Sequence, residues 1–309
     1  MGQDEQLGAL LKLHIWRDGE LLGPEDAAVS VWDHGFLYGD GVFEGIRLRS
    51  NDLFRIDDHL GRLRRSGRLI GLTLSVDDHE IVAAIARTAH ANNLEDAHVR
   101  VVLTRGMGLP GIDPARSPKP SLFVLVYPFP PLLGTEAITL ITSSVVRKAP
   151  RSVDAAAKTL NYLDSVLAKL QANASGASDA IMLDGQGYVA EATSANVFCV
   201  HRGVLRTPPT TAALPGITRD TVLELAAEAG IPTVIEHFGI GDLYVADEAF
   251  LTGTGAGIVP IRCVDGRSLP AFPGEATRLV QAGYQRAWAD PRYATPLRSP
   301  SAPDDRPAD

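Results

Sequence analysis

Lys158-Thr159-Leu160-Asn161-Tyr162 opens the stretch on which the reading of this chain turns, and Glu191-Ala192-Thr193-Ser194-Ala195-Asn196-Val197-Phe198 closes it. A lysine amine can condense with an aldehyde to form a Schiff base. A carboxylate can hold a proton on a pyridine nitrogen as a charge-assisted pair. Lys158 and Glu191 are therefore a candidate pair for a pyridine-aldehyde group, provided the fold brings them to one place. Lysine usage narrows the field, because only Lys12, Lys119, Lys148, Lys158 and Lys169 occur among 29 basic residues. Arginine cannot be deprotonated for such chemistry. Lys158 follows Ala155-Ala156-Ala157, whose small side chains leave room beside it for a planar group. Each residue alone also has a duller reading: Lys158 as a solvated lysine at a helix start, Glu191 as a surface glutamate in a loop.

The elements around this stretch follow from periodicity. After Tyr162 a helix is expected to Ala174, apolar at Leu163, Val166, Leu167 and Leu170. Hairpins are expected around Asp184-Gly185-Gln186-Gly187 and Arg202-Gly203. A helix from Thr218 to Ala229 should stop at Gly230, and a last one should run from Gly274 to Ala287. Upstream, strands are expected at Leu11–Trp16, Val42–Arg49, His98–Arg105, Leu122–Tyr127 and Ile138–Val145. Two helices lie between them. One is capped by Asp57 or Asp58 and carries Leu60, Leu63 and Ile70; the other spans Val76 to Asn92 with Ile81, Ala84, Ile85 and Ala89 inward. The proline-rich segment Pro128 to Thr135 divides the chain. The expected organisation is a small domain over 1–127, a connecting loop over 128–135, a larger domain over 136–290 and a structureless tail over 291–309.

Two segments could cradle a phosphate. Leu214-Pro215-Gly216-Ile217-Thr218-Arg219-Asp220 runs into a helix whose first N–H groups and dipole favour an anion. Gly253-Thr254-Gly255-Ala256-Gly257 offers close backbone approach and a hydroxyl. Neither has the spacing of a nucleotide-binding loop, and each alone could be a simple turn or cap. Arg62 could clamp the same anion if it points inward, although a helix carrying Arg62, Arg64 and Arg65 reads first as a solvated face. His34 and Cys199 could suggest a nucleophilic pair, but Cys199 in an apolar strand reads as a structural thiol.

Composition closes off other classes. A net charge of −8 and the lack of a basic run argue against nucleic acid. No apolar stretch is long enough for a membrane span. The eight histidines and two cysteines show no metal-ligand spacing. The first dozen residues lack the pattern of a secretory signal, so a cytoplasmic setting is expected.

The ordered set is specific. Asp33-His34-Gly35-Phe36-Leu37-Tyr38-Gly39-Asp40-Gly41-Val42-Phe43-Glu44-Gly45-Ile46-Arg47 comes first, followed by His59-Leu60-Gly61-Arg62-Leu63. The Lys158 and Glu191 segments, Leu214 to Asp220 and Phe250 to Pro260 then appear in turn. This resembles the fold-type IV enzymes that use pyridoxal 5'-phosphate (PLP), and most of all the branched-chain aminotransferase family. The resemblance implies a two-domain α/β (α+β) fold of the D-amino-acid aminotransferase type. It also implies PLP bound as a Lys158 aldimine, with Glu191 on the pyridine nitrogen and Tyr162 on the ring O3'. Arg62, Ile217, Thr218 and Thr254 would hold the phosphate. Tyr38, Phe43 and Gly45 would line the side-chain pocket, with His98, Arg100, Arg105 and Gly255 toward the substrate carboxylates. The implied reaction moves an amino group from a branched-chain amino acid to 2-oxoglutarate, in a homodimer or larger oligomer. At His98 the family usually has tyrosine. That departure leaves a D-amino-acid or (R)-amine transaminase, or an aminodeoxychorismate lyase, as alternatives.

Overall fold

The computed structural model describes residues 3–128, 136–149 and 151–297. It divides into two compact units, Met1–Phe129 with Pro291–Asp309, and Pro130–Asp290. Past Pro128, the connection expected at 128–135 lies outside the described residues.

The first unit contains α1 (Gln3–Leu10), β1 (Ile15–Arg17), β2 (Glu20–Leu22), α2 (His34–Tyr38), β3 (Gly41–Arg49), β4 (Asp52–Phe54), α3 (Ile56–Leu69), α4 (Asp78–Ala91), β5 (Ala97–Thr104) and β6 (Ser121–Tyr127). The second contains β7 (Ile138–Thr142), α5 (Leu163–Ala174), β8 (Asp179–Leu183), β9 (Val189–Ala192), β10 (Asn196–His201), β11 (Val204–Thr207), α6 (Ile217–Glu228), β12 (Thr233–Ile235), α7 (Ile240–Tyr244), β13 (Glu248–Gly253), β14 (Gly257–Val264), β15 (Arg267–Ser268) and α8 (Glu275–Ala287). The chain then returns to the first unit as β16 (Ala294–Pro296).

In the first unit seven strands form one sheet, ordered β16-β4-β3-β5-β6-β1-β2. Strand geometry sends alternate residues to opposite faces. Val42, Ile46 and Leu48 of β3, with Val99, Val101 and Leu103 of β5, face a core completed by Leu60 and Leu63 of α3 and Ile81 and Ile85 of α4. Phe43, Gly45 and Arg47 face the other way, in register with Val102, Arg100 and His98. The helix expected to start at Asp57 or Asp58 starts earlier, after Arg55 in the left-handed region at φ 49°. Both aspartates fall within its first turn, where the helix dipole favours them. The sequence reading did not anticipate α2. Asp33 caps it by accepting from the Gly35 N–H, and Gly39 at φ 67° ends it.

Residues 291–297 correct the expected tail. Thr295 pairs with Leu53 in an antiparallel β16–β4 ladder, and Leu297 packs on the core. Three residues are too short for periodicity to reveal, and the pairing partner is far away in sequence.

The second unit is built on a mixed nine-stranded sheet, β12-β11-β10-β13-β14-β7-β8-β9 with β15 beside β14. The β10–β11 hairpin turns through Arg202 at φ 50° and Gly203 at φ 77°, the conformation its tight turn requires. Val197, Leu251 and Ile261 centre the core. One helix inverts its expected packing. Leu163, Val166, Leu167 and Leu170 of α5 are all exposed, while Ser165, Ala168 and Ala172 are buried. Ala168 and Ala172 lie against Ala180 and Met182 of β8, because small residues let the helix approach the sheet.

Candidate active site

Lys158 sits in the loop before α5, and its Nζ lies 3.3 Å from the Tyr162 hydroxyl. Buried residues flank it on both sides: Ala155 and Ala157 before it, Thr159 after it. Glu191 lies within β9 rather than in a surface loop, and its side chain is buried. The structure thereby removes the duller reading of Glu191.

Glu191 is held by four donors. On Oε1 it accepts from Arg147 Nε at 2.8 Å, and another Arg147 nitrogen lies at 2.6 Å. Oε2 receives the Asn196 amide at 3.3 Å and the Leu214 N–H at 3.2 Å. Burial pushes the Glu191 carboxyl up from its ordinary range, while Arg147, the Leu214 N–H and Lys158 pull it back. Arg147 in turn donates to Asp164 at 2.8 Å and to the Ser165 hydroxyl, tying β9 to the first turn of α5.

The same contacts reach the first phosphate candidate. Asn196 also donates to the Leu214 carbonyl at 2.9 Å, and a Cβ on Gly216 would lie 1.9 Å from Asn196 Oδ1. Gly216 is the N-cap of α6, where no side chain caps the helix, and Ile217 and Thr218 follow it, buried. The turn with Thr254 and Gly255 joins β13 to β14. A Cβ on Gly253 beside it would meet Ser194 O at 3.5 Å. An amine beside a phenol, a buried carboxylate and an uncapped helix start next to bare backbone are groups that could hold a phosphorylated pyridine aldehyde.

The first unit gathers the remaining predicted residues on two faces of its sheet. On one, the Arg100 guanidinium lies 3.9 Å from the centroid of the Phe43 ring. The His98 ring packs 5.5 Å from that of Tyr127, and a Cβ on Gly45 would be 2.9 Å from His98 Nε2. Burial raises the Tyr127 phenol, opposed by Arg100. Tyr38 is half exposed at the end of α2 and accepts from the Gly111 N–H at 2.8 Å. The structure does not bring Arg105 to this face. Its guanidinium spans Asp40 and the Ile70 and Gly71 carbonyls.

Arg62 points inward rather than to solvent. Its Nε donates to Glu44 Oε1 at 2.7 Å and another nitrogen to Oε2 at 2.8 Å, while His59 Nδ1 lies 2.7 Å from Oε2. These two partners hold the fully buried Glu44 down at about 2, against the push of burial.

Arg147, Asn196, Glu44, His59 and Tyr127 escaped the sequence reading as site residues. Arg147 is one arginine among many and lies 44 positions from its partner Glu191. Its one local signal is the charged pair Arg147-Lys148 shortly after an apolar strand. Cys199 is a core thiol pushed up to about 12 by burial, as expected of a structural cysteine.

Residues 41–264 match the profile described as amino-transferase class IV. A branched-chain-amino-acid aminotransferase of Pseudomonas aeruginosa is 38% identical over 283 residues, covering 87% of this chain and 91% of its own length. A branched-chain aminotransferase from Thermoproteus uzoniensis, solved with norvaline, superposes with a TM-score of 0.88 at 35% identity, covering 93% of this chain and 99% of that one. The branched-chain amino acid aminotransferase from Thermobaculum terrenum, solved in its PLP form, gives 0.83 at 30% identity, covering 92% and 98%.

Proposed function

We propose a reaction for a chain that belongs to the amino-transferase class IV family: transfer of the amino group of a branched-chain aliphatic amino acid to 2-oxoglutarate. The enzyme is a fold-type IV aminotransferase and its cofactor is PLP. The observation that carries the site assignment is the Lys158–Tyr162 pair in the same unit as the buried Glu191.

When bound, PLP supplies an electron sink for the pair left on the substrate α-carbon. Lys158 Nζ is the amine that holds the cofactor at rest. Once free, that amine would be the base that takes the substrate α-proton and, as its conjugate acid, the group that gives it back on the same side. Tyr162 Oη, 3.3 Å away, orients that amine by accepting from it. Glu191 presents an anion to the pyridine nitrogen and fixes a proton there. Ile217 and Thr218 at the start of α6, and Thr254 in the β13–β14 turn, are the proposed phosphate holders of the second unit. In the first unit Arg62 is the proposed phosphate arm. Tyr38, Phe43, Gly45, His98 and Arg100 are its proposed substrate surface, and Gly255 serves the carboxylate.

Self-association into a homodimer belongs to the same reading, supported by the exposed Leu163, Val166, Leu167 and Leu170 stripe. A cytoplasmic setting is supported by two free cysteines.

The test is a donor panel on the purified protein with added PLP: L-leucine, D-alanine, (R)-1-phenylethylamine and aminodeoxychorismate. Turnover of L-leucine with 2-oxoglutarate is expected to dominate, and preference for any other donor would overturn the substrate assignment. Lys158→Ala should lower turnover by roughly 10²- to 10⁴-fold or more. Retained turnover would remove Lys158 from the mechanism.

A further inference from the structure

Glu191 faces a conflict in which its immediate neighbours oppose the effect of burial. A carboxyl enclosed in protein is driven toward its neutral form, because burial penalises charge. A neutral Glu191 would have a proton of its own and no electrostatic reason to keep another on a pyridine nitrogen. The largest influence opposing burial is Arg147.

Arg147 is built for this task. It is buried, and Asp164 and the Ser165 hydroxyl hold its Nη1 end. Two other nitrogens close on the same Glu191 oxygen, Oε1. Oε2 is left with two longer contacts, to Asn196 and Leu214. A carboxylate has about four acceptor sites. Arg147 fills the Oε1 side firmly, and the weakly engaged oxygen is the one open to exchange a donor. The remaining charged and titratable groups around the pair are Lys158, Lys148, Asp164 and Tyr162.

We propose that Arg147 is a positioning residue for the reaction: it keeps Glu191 an anion and commits Oε1, so that Oε2 serves the cofactor's pyridine nitrogen. The proposal rests on the assignment of Glu191 above. Arg147 acts through Glu191 and touches no reacting atom. Asp164 and Ser165 extend the chain of support to the helix that follows Lys158, so one guanidinium registers the carboxylate against the element carrying Tyr162 and the amine before it.

The experiment reads the pyridine nitrogen directly, by nitrogen NMR of holoenzyme loaded with isotopically labelled PLP, beside the dissociation constant for PLP. Wild type should show a protonated nitrogen across the neutral range. Arg147→Met and Arg147→Gln should shift it toward the neutral pyridine signal and weaken PLP binding roughly ten- to a hundredfold. Arg147→Lys, which restores the charge, should recover most of the protonated signal. Should Arg147→Met fail to fold, Arg147→Gln carries the test, since it keeps a donor and loses only charge and reach. A wild-type nitrogen signal in both neutral variants, with Glu191→Gln altered, would overturn the role of Arg147 and leave that of Glu191 standing. An unchanged signal in Glu191→Gln would instead sink the Glu191 assignment, and this proposal with it.

Discussion

At the scale of single residues, charge buried with its partner decides most of what this molecule does. Glu44 is fully enclosed with Arg62 and His59, and its pKa is lowered from 4.5 to about 2. A carboxyl depressed in the folded state contributes stability that is complete above its unfolded value. That contribution vanishes as pH falls from about 4.5 toward about 2. The shift corresponds to about 3 kcal/mol as an order of magnitude. Glu44→Gln should therefore be less stable than wild type at neutral pH by a few kcal/mol, with the gap closing as the solution is acidified. Denaturant melts at several pH values read this directly, and a gap independent of pH would contradict it. Gly45 acts through space rather than charge. A methyl there would lie 2.9 Å from His98 Nε2, so Gly45→Ala must displace the imidazole. The expected result is a destabilisation of about 1–3 kcal/mol, with a change in relative kcat/KM between short and branched donors. Unchanged donor ratios would show that His98 does not shape the substrate surface. The sequence offered Lys158 and Glu191 through chemistry alone, and the ordered motifs named their purpose. Arg147 was out of reach because no local pattern marks an arginine whose partner lies 44 residues away.

At the scale of elements, the regular helices α3 and α4 were legible because their buried faces are made of large apolar residues. Leu60 and Leu63 in α3, and Ile81 and Ile85 in α4, face inward as their spacing requires. In α5 the same rule misleads. Its large apolar residues face solvent and its small ones face β8, so periodicity locates the helix and assigns the wrong side. Short elements were missed for a different reason. The five-residue α2 depends on its aspartate cap and glycine stop, and no stripe can develop over so few residues. The α5 stripe gives a prediction. Leu167→Glu with Leu170→Lys should leave the helix content intact, since both side chains are exposed. The same pair should shift the protein from dimer to monomer in sedimentation. A dimer that persists would show that α5 is not the face two copies share.

At the scale of the whole molecule, the two units are not equal in how the chain builds them. The second is one continuous run, Pro130–Asp290, while the first needs both Met1–Phe129 and the residues from Pro291. Removing residues 291–297 deletes β16 and the contact of Leu297. It is expected to lower the stability of the first unit by about 1–3 kcal/mol, chiefly through the lost apolar burial of Leu297 and Tyr293. Hydrogen exchange would register this as faster exchange at Leu53 and its neighbours, with β10 and β13 unchanged. Equal loss of protection in both units would contradict the assignment. On a ribosome, this wiring imposes an order of events. The lysine-bearing unit is synthesised whole before the strand that seals its predecessor exists, so the half made first is the half finished last.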